Sequence, residues 1–212
     1  MLNLPTLYEV GIMLPGIILG LTLHELAHGW AADRLGDHTA RYQGRLTLNP
    51  LAHVDIIGLM LLFVAGFGWA KPVPVNPYNF RGDVRRGMML VSLAGPAANM
   101  LIAVFAAAAL GLGAWQLPFG RELVAVIREI IHINVILAVF NLLPIPPLDG
   151  SKILAGILPG RQEWLYTLEN YGTIILLFLL FTGIIGRVLG WIIIPIYRAL
   201  IGLATALSTI AF

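Results

Sequence analysis

The sequence contains no cysteine and very little charge. The absence of cysteine excludes disulfides, and it leaves histidine and carboxylate side chains as the ligands for any bound transition metal. Only 11% of the 212 residues are charged, against roughly 25% in an ordinary globular domain. A water-soluble domain of this size could not cover its surface with so few charges, so the composition excludes that class.

Apolar residues make up 58% of the chain and recur in long runs along its whole length. Such runs fit the lipid bilayer as solvent, and we expect a multi-pass protein of the cell membrane. No stretch is large and polar enough for an appended soluble module. We therefore predict one membrane-embedded domain over 1–212, with a core over 8–160 and C-terminal helices over 163–212. The net charge of +2 gives no reason to expect nucleic acid as a partner, and it is typical of basic loops at a membrane surface.

The apolar runs predict an all-α polytopic integral membrane protein with about five to six hydrophobic helical segments. A charged residue, Arg187, interrupts the last apolar region, and we expect the chain to break there into two helices. The segment after this break either spans the membrane or lies in its interface. The predicted helices cover 8–32, 56–70, 87–114, 122–143, a short stretch from Asp149 to 157, 171–185 and the region after Arg187.

Segment 71–77, Lys-Pro-Val-Pro-Val-Asn-Pro, carries three prolines in seven residues. Proline lacks a backbone N–H, so this segment cannot be a helix interior or a central strand. We predict a small β-like, extended element here, between the first core helix and the second.

Basic residues predict how segment 56–70 lies. Segment 33–49 carries three arginines, and segment 71–86 carries four basic residues. Cytoplasmic loops are enriched in lysine and arginine, so both segments are expected on the cytoplasmic side. Segment 56–70 has 15 residues, fewer than the roughly 20 of a straight crossing. It should therefore enter the membrane and return, or lie within the protein.

A His-Glu-Leu-Ala-His motif, His24 to His28, lies on the first predicted helix. Residues four apart are about 1.1 helical turns apart, so both imidazoles project from one face and can share a metal ion. Glu25 lies about 100° around the helix from His24 and can reach a water molecule at the metal without being a ligand. Zinc would make that water acidic, and Glu25 would take its proton.

A chance occurrence of this five-residue pattern is the alternative explanation, since motif matches are only hypotheses. Here the motif lies within an apolar segment, where unpaired histidine and glutamate cost several kcal/mol. Residues of this kind inside a membrane helix are usually functional. The setting therefore favours a metal site.

Tetrahedral zinc in a catalytic site takes a third protein ligand and keeps one open position. Asp149 is the candidate, because prolines at 144, 146 and 147 break the chain in an apolar context and leave Asp149 at a helix start. Unpaired N–H groups at a helix start favour an ionised carboxylate. The alternative for Asp149 by itself is an ordinary N-cap residue at a surface loop, and pairing with the histidine motif favours the ligand.

Four more residues are candidates for the site. Asn141 either hydrogen-bonds a substrate backbone or oxyanion, or satisfies a local helix carbonyl. Gly95 and Pro96 predict close packing of a membrane helix against the histidine helix, and Asn99 adds a polar contact near the site. We interpret His53 and Asp55 as interfacial groups capping the helix at 56, and His132 with Asn134 as interhelical hydrogen-bonding residues, rather than as a second metal site.

Three motifs together resemble those of site-2 proteases, which are intramembrane zinc metalloproteases. They are the 24–28 motif, Gly95-Pro96-Ala97-Ala98-Asn99, and the segment from Asn141 to Leu148-Asp149-Gly150. The stretches 49–53 and 68–77 resemble the compact prokaryotic branch of that family, which has no PDZ domain. The resemblance covers roughly residues 15–160.

The resemblance implies a three-helix core in which His24, His28 and Asp149 hold one zinc ion, with Glu25 as the base. It implies cleavage of a transmembrane or membrane-adjacent peptide, in regulated intramembrane proteolysis or membrane-peptide clearance, at a site towards the cytoplasmic side. It also implies a β-like edge within region 40–80 that pairs with extended substrate. The apolar run in this region is longer than in typical relatives.

Two other functions stay open at this point. A metal-binding membrane transporter could use the same ligands, but it would predict polar residues along the full depth of several helices. In this chain the polar groups are concentrated in a few motifs. A catalytically idle scaffold that binds partner helices is the second alternative, and the intact ligands and base argue against it.

Overall fold

The structure, a computed structural model, describes residues 5–117, 119–159 and 163–211. Within these ranges the chain forms α-helices and short 3₁₀ turns and no regular β-strand, which confirms the all-α prediction. The helices are α1 (Leu7–Arg34), α2 (Thr39–Tyr42), α3 (Ile56–Ala65), α4 (Val84–Gly111), α5 (Gly120–Asn141), α6 (Asp149–Ile157), α7 (Glu163–Phe181) and α8 (Ile184–Ala211).

Four helices in the described part of the chain are long and apolar enough to cross a membrane: α1, α4, α5 and α8. The apolar part of α7, Leu168–Phe181, is shorter, and α3 has only 10 residues. The predicted count of five to six segments is therefore not confirmed. The chain is a multi-pass membrane protein with four candidate spans in the described residues.

The core of the molecule forms where α1, α4 and α5 pack against one another, with α8 against α4 and α5 and α6 against α4. Local sequence explains where these helices begin. Thr6 and Glu9 form a reciprocal capping box at the start of α1, and Asp83 accepts a hydrogen bond from the Arg86 N–H at the start of α4. Such caps satisfy backbone N–H groups that the helix itself leaves unpaired.

Segment 55–70 forms a hairpin built on a helix, and the β-like element predicted over 71–77 forms no regular strand. Asp55 caps α3, and its Oδ1 accepts a hydrogen bond of 2.9 Å from the Gly58 N–H. The helix ends at Ala65, five residues before the predicted end at 70, because Gly66 caps it with a left-handed φ of 74°. Val54 and Ala70 form one isolated antiparallel bridge. The two ends of the segment therefore lie side by side, so the chain leaves and returns at the same level.

Three sequence interpretations are wrong in detail. The C-terminal helices separate at Gly183, with a left-handed φ of 69°, and Arg187 lies inside the first turn of α8. A long basic side chain near a helix end can reach the interface without breaking the helix. His53 is fully buried and its Nε2 hydrogen-bonds the Thr47 carbonyl, so it does not cap α3. His132 contacts the Tyr197 ring instead of bridging helices by a hydrogen bond.

Candidate metal centre and active site

The structure brings the two histidines of α1 together with Asp149, more than a hundred residues away in the sequence. The Nε2 atoms of His24 and His28 lie 3.0 Å apart. Each of them lies 3.2 Å from Oδ2 of Asp149. All three side chains are buried, with exposures of 7% to 9%. Within the described residues, this is the one group of three or more histidine or acidic side chains placed to hold a metal ion.

The second ring nitrogen of each histidine is already engaged. Nδ1 of His24 donates to Oδ1 of Asn99 at 2.6 Å, and Nδ1 of His28 donates to the Val91 carbonyl oxygen at 2.7 Å. In neutral rings the protons therefore sit on Nδ1, and both Nε2 atoms present lone pairs. These lone pairs face each other and Oδ2 of Asp149. The three electron-rich atoms repel one another unless a cation lies between them.

The donor atoms fit zinc. Zinc binds histidine nitrogen and carboxylate oxygen at about 2.0–2.2 Å, so tetrahedral geometry places neighbouring ligand atoms roughly 3.3 Å apart. The observed separations of 3.0 and 3.2 Å are close to that value. Three protein ligands leave one tetrahedral position open, which is the arrangement of a catalytic rather than a structural zinc site.

The chain break before α6 places Asp149 at the metal centre. The helix starts at Asp149, as predicted, and its second residue, Gly150, packs on the end of α5. A Cβ at Gly150 would lie 2.2 Å from the Leu142 carbonyl oxygen, so only glycine permits this approach. Metal binding requires the ionised carboxylate, and the start of a helix favours that form.

Gly95 lies directly against the metal-binding rings. A Cβ at this position would lie 2.5 Å from Cε1 and Nε2 of His28 and 2.7 Å from Cε1 of His24. The following residue, Pro96, is buried inside α4 and provides no N–H for the Ser92 carbonyl. The predicted close packing of α4 against the histidine helix is therefore present, and it occurs at the metal centre itself.

Glu25 lies beside the metal-binding group without belonging to it. Its side chain is 9% exposed, and Oε2 accepts a hydrogen bond of 2.8 Å from the Val73 backbone N–H. Val73 is the only residue able to donate a backbone hydrogen bond in the sequence Pro72-Val73-Pro74. This contact connects the extended segment to the carboxylate that the sequence predicts to be the base.

We refer to residues 71–76 as the strap, because they run across the site in neither helix nor strand. Both ends of the strap are attached to other loops. At the first end, the Lys71 N–H donates to the His53 carbonyl at 2.7 Å, and Arg45 Nη2 donates to the Lys71 carbonyl at 2.8 Å. At the second end, the Asn76 N–H donates to Oδ2 of Asp37 at 2.7 Å.

A cavity of about 270 Å³ opens at the metal-binding group. Its walls come from α1, the strap, α4 and the start of α6, and they include Asn141, Pro147 and Lys152. The Asn141 amide donates one hydrogen to the Leu137 carbonyl at 2.9 Å, so the local role considered for it is present. An amide NH₂ carries two hydrogens, and the position of Asn141 in the cavity wall is compatible with a second role.

Cavity size alone would not identify this site. A larger cavity of about 680 Å³ lies among α1, α5 and α8, lined by Glu9, Arg128 and Glu129 among others. It contains no set of side chains with converging metal-ligand atoms among the described residues. The chemistry of the side chains, rather than the volume, distinguishes the smaller cavity.

Sequence reasoning missed four groups at or near the site. Lys152 could have been found, because it follows Asp149 by one helical turn. The sequence predicts Asn134 as an interhelical residue, and its hydrogen bonds to two other helices confirm this, but the sequence does not connect it with the metal. The Val73 N–H and the Val91 carbonyl are backbone groups, which carry no signal in the residue type.

Two buried histidines and a carboxylate around one point, with a glutamate beside them, form the arrangement expected of a metalloprotease site. Comparison with known proteins agrees. The profile of Peptidase family M50 matches residues 119–183. "Putative zinc metalloprotease YwhC" of Bacillus subtilis is 42% identical over 175 residues, which cover 78% of each chain. "Putative zinc metalloprotease Rip2" of Mycolicibacterium smegmatis is 35% identical over 182 residues, covering 83% of this chain and 69% of the relative.

The chain therefore belongs to peptidase family M50, the site-2 protease family, and it is an intramembrane zinc metalloprotease. A more distant relative, "Putative zinc metalloprotease MJ0611" of Methanocaldococcus jannaschii, is 33% identical over 145 residues and matches 64% of each chain. No solved protein structure matches the chain at a significant level.

Proposed function

We propose that this protease hydrolyses peptide bonds in transmembrane or membrane-adjacent segments of other proteins, in regulated proteolysis or clearance of membrane peptides. His24, His28 and Asp149 hold one zinc ion in this proposal, and Glu25 is the general base. The observation that carries it is the convergence of three ligand atoms within 4.8 Å inside a helical membrane core, with a buried glutamate one residue from the first ligand.

Glu25 moves the proton. When bound, zinc supplies a Lewis acid that polarises the scissile carbonyl and acidifies water in the cavity. Glu25 takes a proton from that water on a carboxylate oxygen and later gives it to the leaving amine. The Val73 N–H holds Oε2, which orients the carboxylate towards the cavity and leaves Oε1 as the proton acceptor.

The strap is the proposed backbone edge for substrate. A substrate helix has its peptide groups hydrogen-bonded internally, so it must unwind before cleavage and needs replacement partners. The strap lines the metal cavity through Pro72, Val73 and Val75 and lacks regular structure of its own. These features support the strap as the part of region 40–80 that pairs with an unwound segment.

Asn141 is the proposed donor to the substrate backbone or to the developing oxyanion. Its place in the cavity wall beside Asp149 supports this role, and the bond to Leu137 fixes the amide so that its second hydrogen is available. Water reaches the buried site past the proline-broken segment 144–149, because Pro147 forms part of the cavity wall.

We further propose that the protein resides in the cell membrane as one domain, with the active site towards the cytoplasmic side. His28 precedes Arg34 by less than two helical turns, and the basic segments 33–49 and 71–86 flank the site. The positive-inside bias places such segments in the cytoplasm.

The decisive experiment is Glu25→Gln in the full-length protein. We expect this variant to bind one zinc ion per chain, because Glu25 is not a ligand, and to lose cleavage by about 10²–10⁴-fold, the usual contribution of a general base. Zinc content of the purified protein and membrane-peptide proteomics of cells with either form measure the two effects. Glu9→Gln, at the exposed start of the same helix, is the matched control and should cleave normally.

Normal cleavage by Glu25→Gln, or a wild-type protein without zinc, would refute this function. Zinc transport into liposomes that persists in Glu25→Gln would instead indicate a transporter, and capture of membrane peptides without turnover by the wild type would indicate a scaffold.

A further inference from the structure

Two asparagines lie fully buried between the three core helices, and they form a continuous hydrogen-bonded chain with His24. Asn99 of α4 and Asn134 of α5 both have no exposed surface. Nδ2 of Asn99 donates to Oδ1 of Asn134 at 2.9 Å, and Oδ1 of Asn99 accepts from Nδ1 of His24 at 2.6 Å. The hydrogen bonds therefore connect Asn134 of α5, through Asn99 of α4, to the imidazole of His24 on α1.

The donors and acceptors in this series of hydrogen bonds can be arranged in only one way, and the contacts of Asn134 determine it. Nδ2 of Asn134 donates to the Ile130 carbonyl at 2.8 Å and to the Gly16 carbonyl at the longer distance of 3.4 Å. Carbonyl oxygens only accept hydrogen bonds, so this amide cannot turn around without placing oxygen against oxygen. Oδ1 of Asn134 must therefore face Asn99.

The orientation of the Asn134 amide in turn determines the orientation of Asn99 and the protonated nitrogen of His24. With Oδ1 of Asn134 as its acceptor, Asn99 must present Nδ2 to α5, and its Oδ1 then faces His24. Nδ2 of Asn99 also donates to the Gly20 carbonyl at 3.0 Å. A ring nitrogen that faces a carbonyl-type oxygen must carry the proton, so His24 is fixed with hydrogen on Nδ1 and a lone pair on Nε2.

The contact with Gly20 fixes the ring in space as well. Gly20 lies four residues before His24, so its carbonyl belongs to the helical turn that carries the histidine. Asn99 therefore touches both the imidazole and the backbone beneath it. This holds the Nε2 atom at a set position relative to α1.

We infer that Asn134 is a positioning residue of the metal centre, acting through Asn99 to fix the proton and the orientation of His24. The inference rests on the metal centre of the proposed function and adds to it a residue that contacts neither metal nor substrate. Asn99 is the direct partner of the ligand, and Asn134 keeps Asn99 from rotating.

Zinc affinity of the full-length protein in detergent, measured by competition with a chelator, tests the inference. Loss of a direct partner of a metal-binding histidine typically costs 10–100-fold in metal affinity, which is the loss expected for Asn99→Ala. Asn134→Ala is expected to lose about tenfold, at the lower end of that range, because Asn99 keeps its contact with Gly20.

The double variant tests whether the two asparagines act in series. Once Asn99 is alanine, Asn134 has nothing to orient, so Asn134→Ala should cause no further loss of zinc affinity in that background.

Ile131→Ala separates positioning from general packing. Ile131 is also fully buried on α5, in the apolar core, and it takes no part in the hydrogen-bonded chain. Its truncation should lower the thermal stability of the metal-free protein while leaving zinc affinity unchanged. Asn134→Ala should instead lower zinc affinity more than it lowers the thermal stability of the metal-free protein.

Wild-type zinc affinity in Asn134→Ala, additive losses in the double variant, or an equal loss in Ile131→Ala would each overturn the inference. These results differ from failure of the proposed function, because in that case the wild type itself would hold no zinc or Glu25→Gln would still cleave.

Discussion

The two histidines of the proposed metal centre are held by different kinds of partner. His24 donates to a side chain, Asn99, whereas His28 donates to the backbone carbonyl of Val91. Substitution can remove the first partner, but it can displace the second only by moving α4. The orientation of His28 therefore depends on the position of α4 and not on the side chain at residue 91.

Gly95 is the residue where that helix position is most constrained. In Gly95→Ala, the methyl group would meet His28 Nε2 at 2.5 Å, so the rings or α4 must move. Overpacking of this kind costs about 1–3 kcal/mol, and we expect zinc affinity to fall by roughly tenfold or more. Gly11→Ala on α1 is the control, because a Cβ there meets nothing within 4 Å. Equal zinc affinity of the two variants, measured by chelator competition, would contradict this account.

At this scale the sequence predicts side chains well and backbone partners poorly. The spacing of His24 and His28, and the proline-broken approach to Asp149, have local physical causes, and the structure brings these residues together as expected. Asn134 was recognisable as a polar residue in an apolar helix, but its partner depends on how α4 and α5 pack. The Val73 N–H that binds Glu25 has no residue-type signal at all.

Among the elements, the strap depends most on contacts that are distant in the sequence. Asp37 is fully buried between the loop after α1 and the end of the strap. Its carboxylate accepts hydrogen bonds from the Thr39 hydroxyl, the Asn76 N–H and the Asn79 amide. Burial raises the pKa of Asp37, but these hydrogen bonds outweigh burial and hold the pKa below its ordinary value.

A carboxyl group whose pKa is lowered by folding stabilises the folded form above its ordinary pKa of about 4, and this contribution is lost as the pH falls through the folded value. The attachment of the strap should therefore be constant from about pH 5 to 8 and weaken below about pH 4. In Asp37→Asn it should be weaker throughout and change little with pH.

Hydrogen exchange of peptides spanning the strap, corrected for intrinsic rates, measures this attachment. Asp55→Asn, which alters the cap of α3 instead, should keep wild-type protection of the strap near neutral pH. Strap protection in Asp37→Asn equal to that of wild type would show that Asp37 does not anchor the strap.

Element boundaries follow local signals where those signals are strong. The short helix after the prolines begins and ends where the sequence predicts, Asp149–Ile157. The charge of Arg187 predicts the break near the C-terminus at that residue, but Gly183, with a left-handed φ, makes the turn. The β-like element expected over 71–77 forms no strand, because its prolines remove backbone donors. The isolated bridge nearby joins Val54 and Ala70.

In the whole molecule, each of the three core helices contributes polar groups at or near the candidate site. α1 carries the histidines, α4 carries Asn99, and α5 ends at Asn141, where the chain turns back to deliver Asp149. Lipid offers no partners for such groups, and His24, Asn99 and Asn134 satisfy one another across the helix contacts. The metal centre and the packing of the core are therefore parts of one arrangement.

The hairpin at 55–70 makes a prediction about how this arrangement sits in the membrane. The hydrogen bond from the Lys71 N–H to the His53 carbonyl joins the two ends of the hairpin, so the loops before and after it should lie on one side of the bilayer. The next loop, reached after α4 crosses, should lie on the opposite side.

Because the chain has no cysteine, single cysteines report position without background. We expect Gln43→Cys and Arg81→Cys, both at exposed positions, to react with an impermeant maleimide only after the cells are permeabilised. Gln116→Cys, in the loop after α4, should react in intact cells, and Met60→Cys, on the exposed apolar surface of α3, should resist the aqueous reagent in both conditions. Labelling of positions 43 and 81 from opposite sides would mean that α3 crosses the bilayer. The hairpin contact at Lys71 could not then form, and the strap that it anchors would not lie over Glu25.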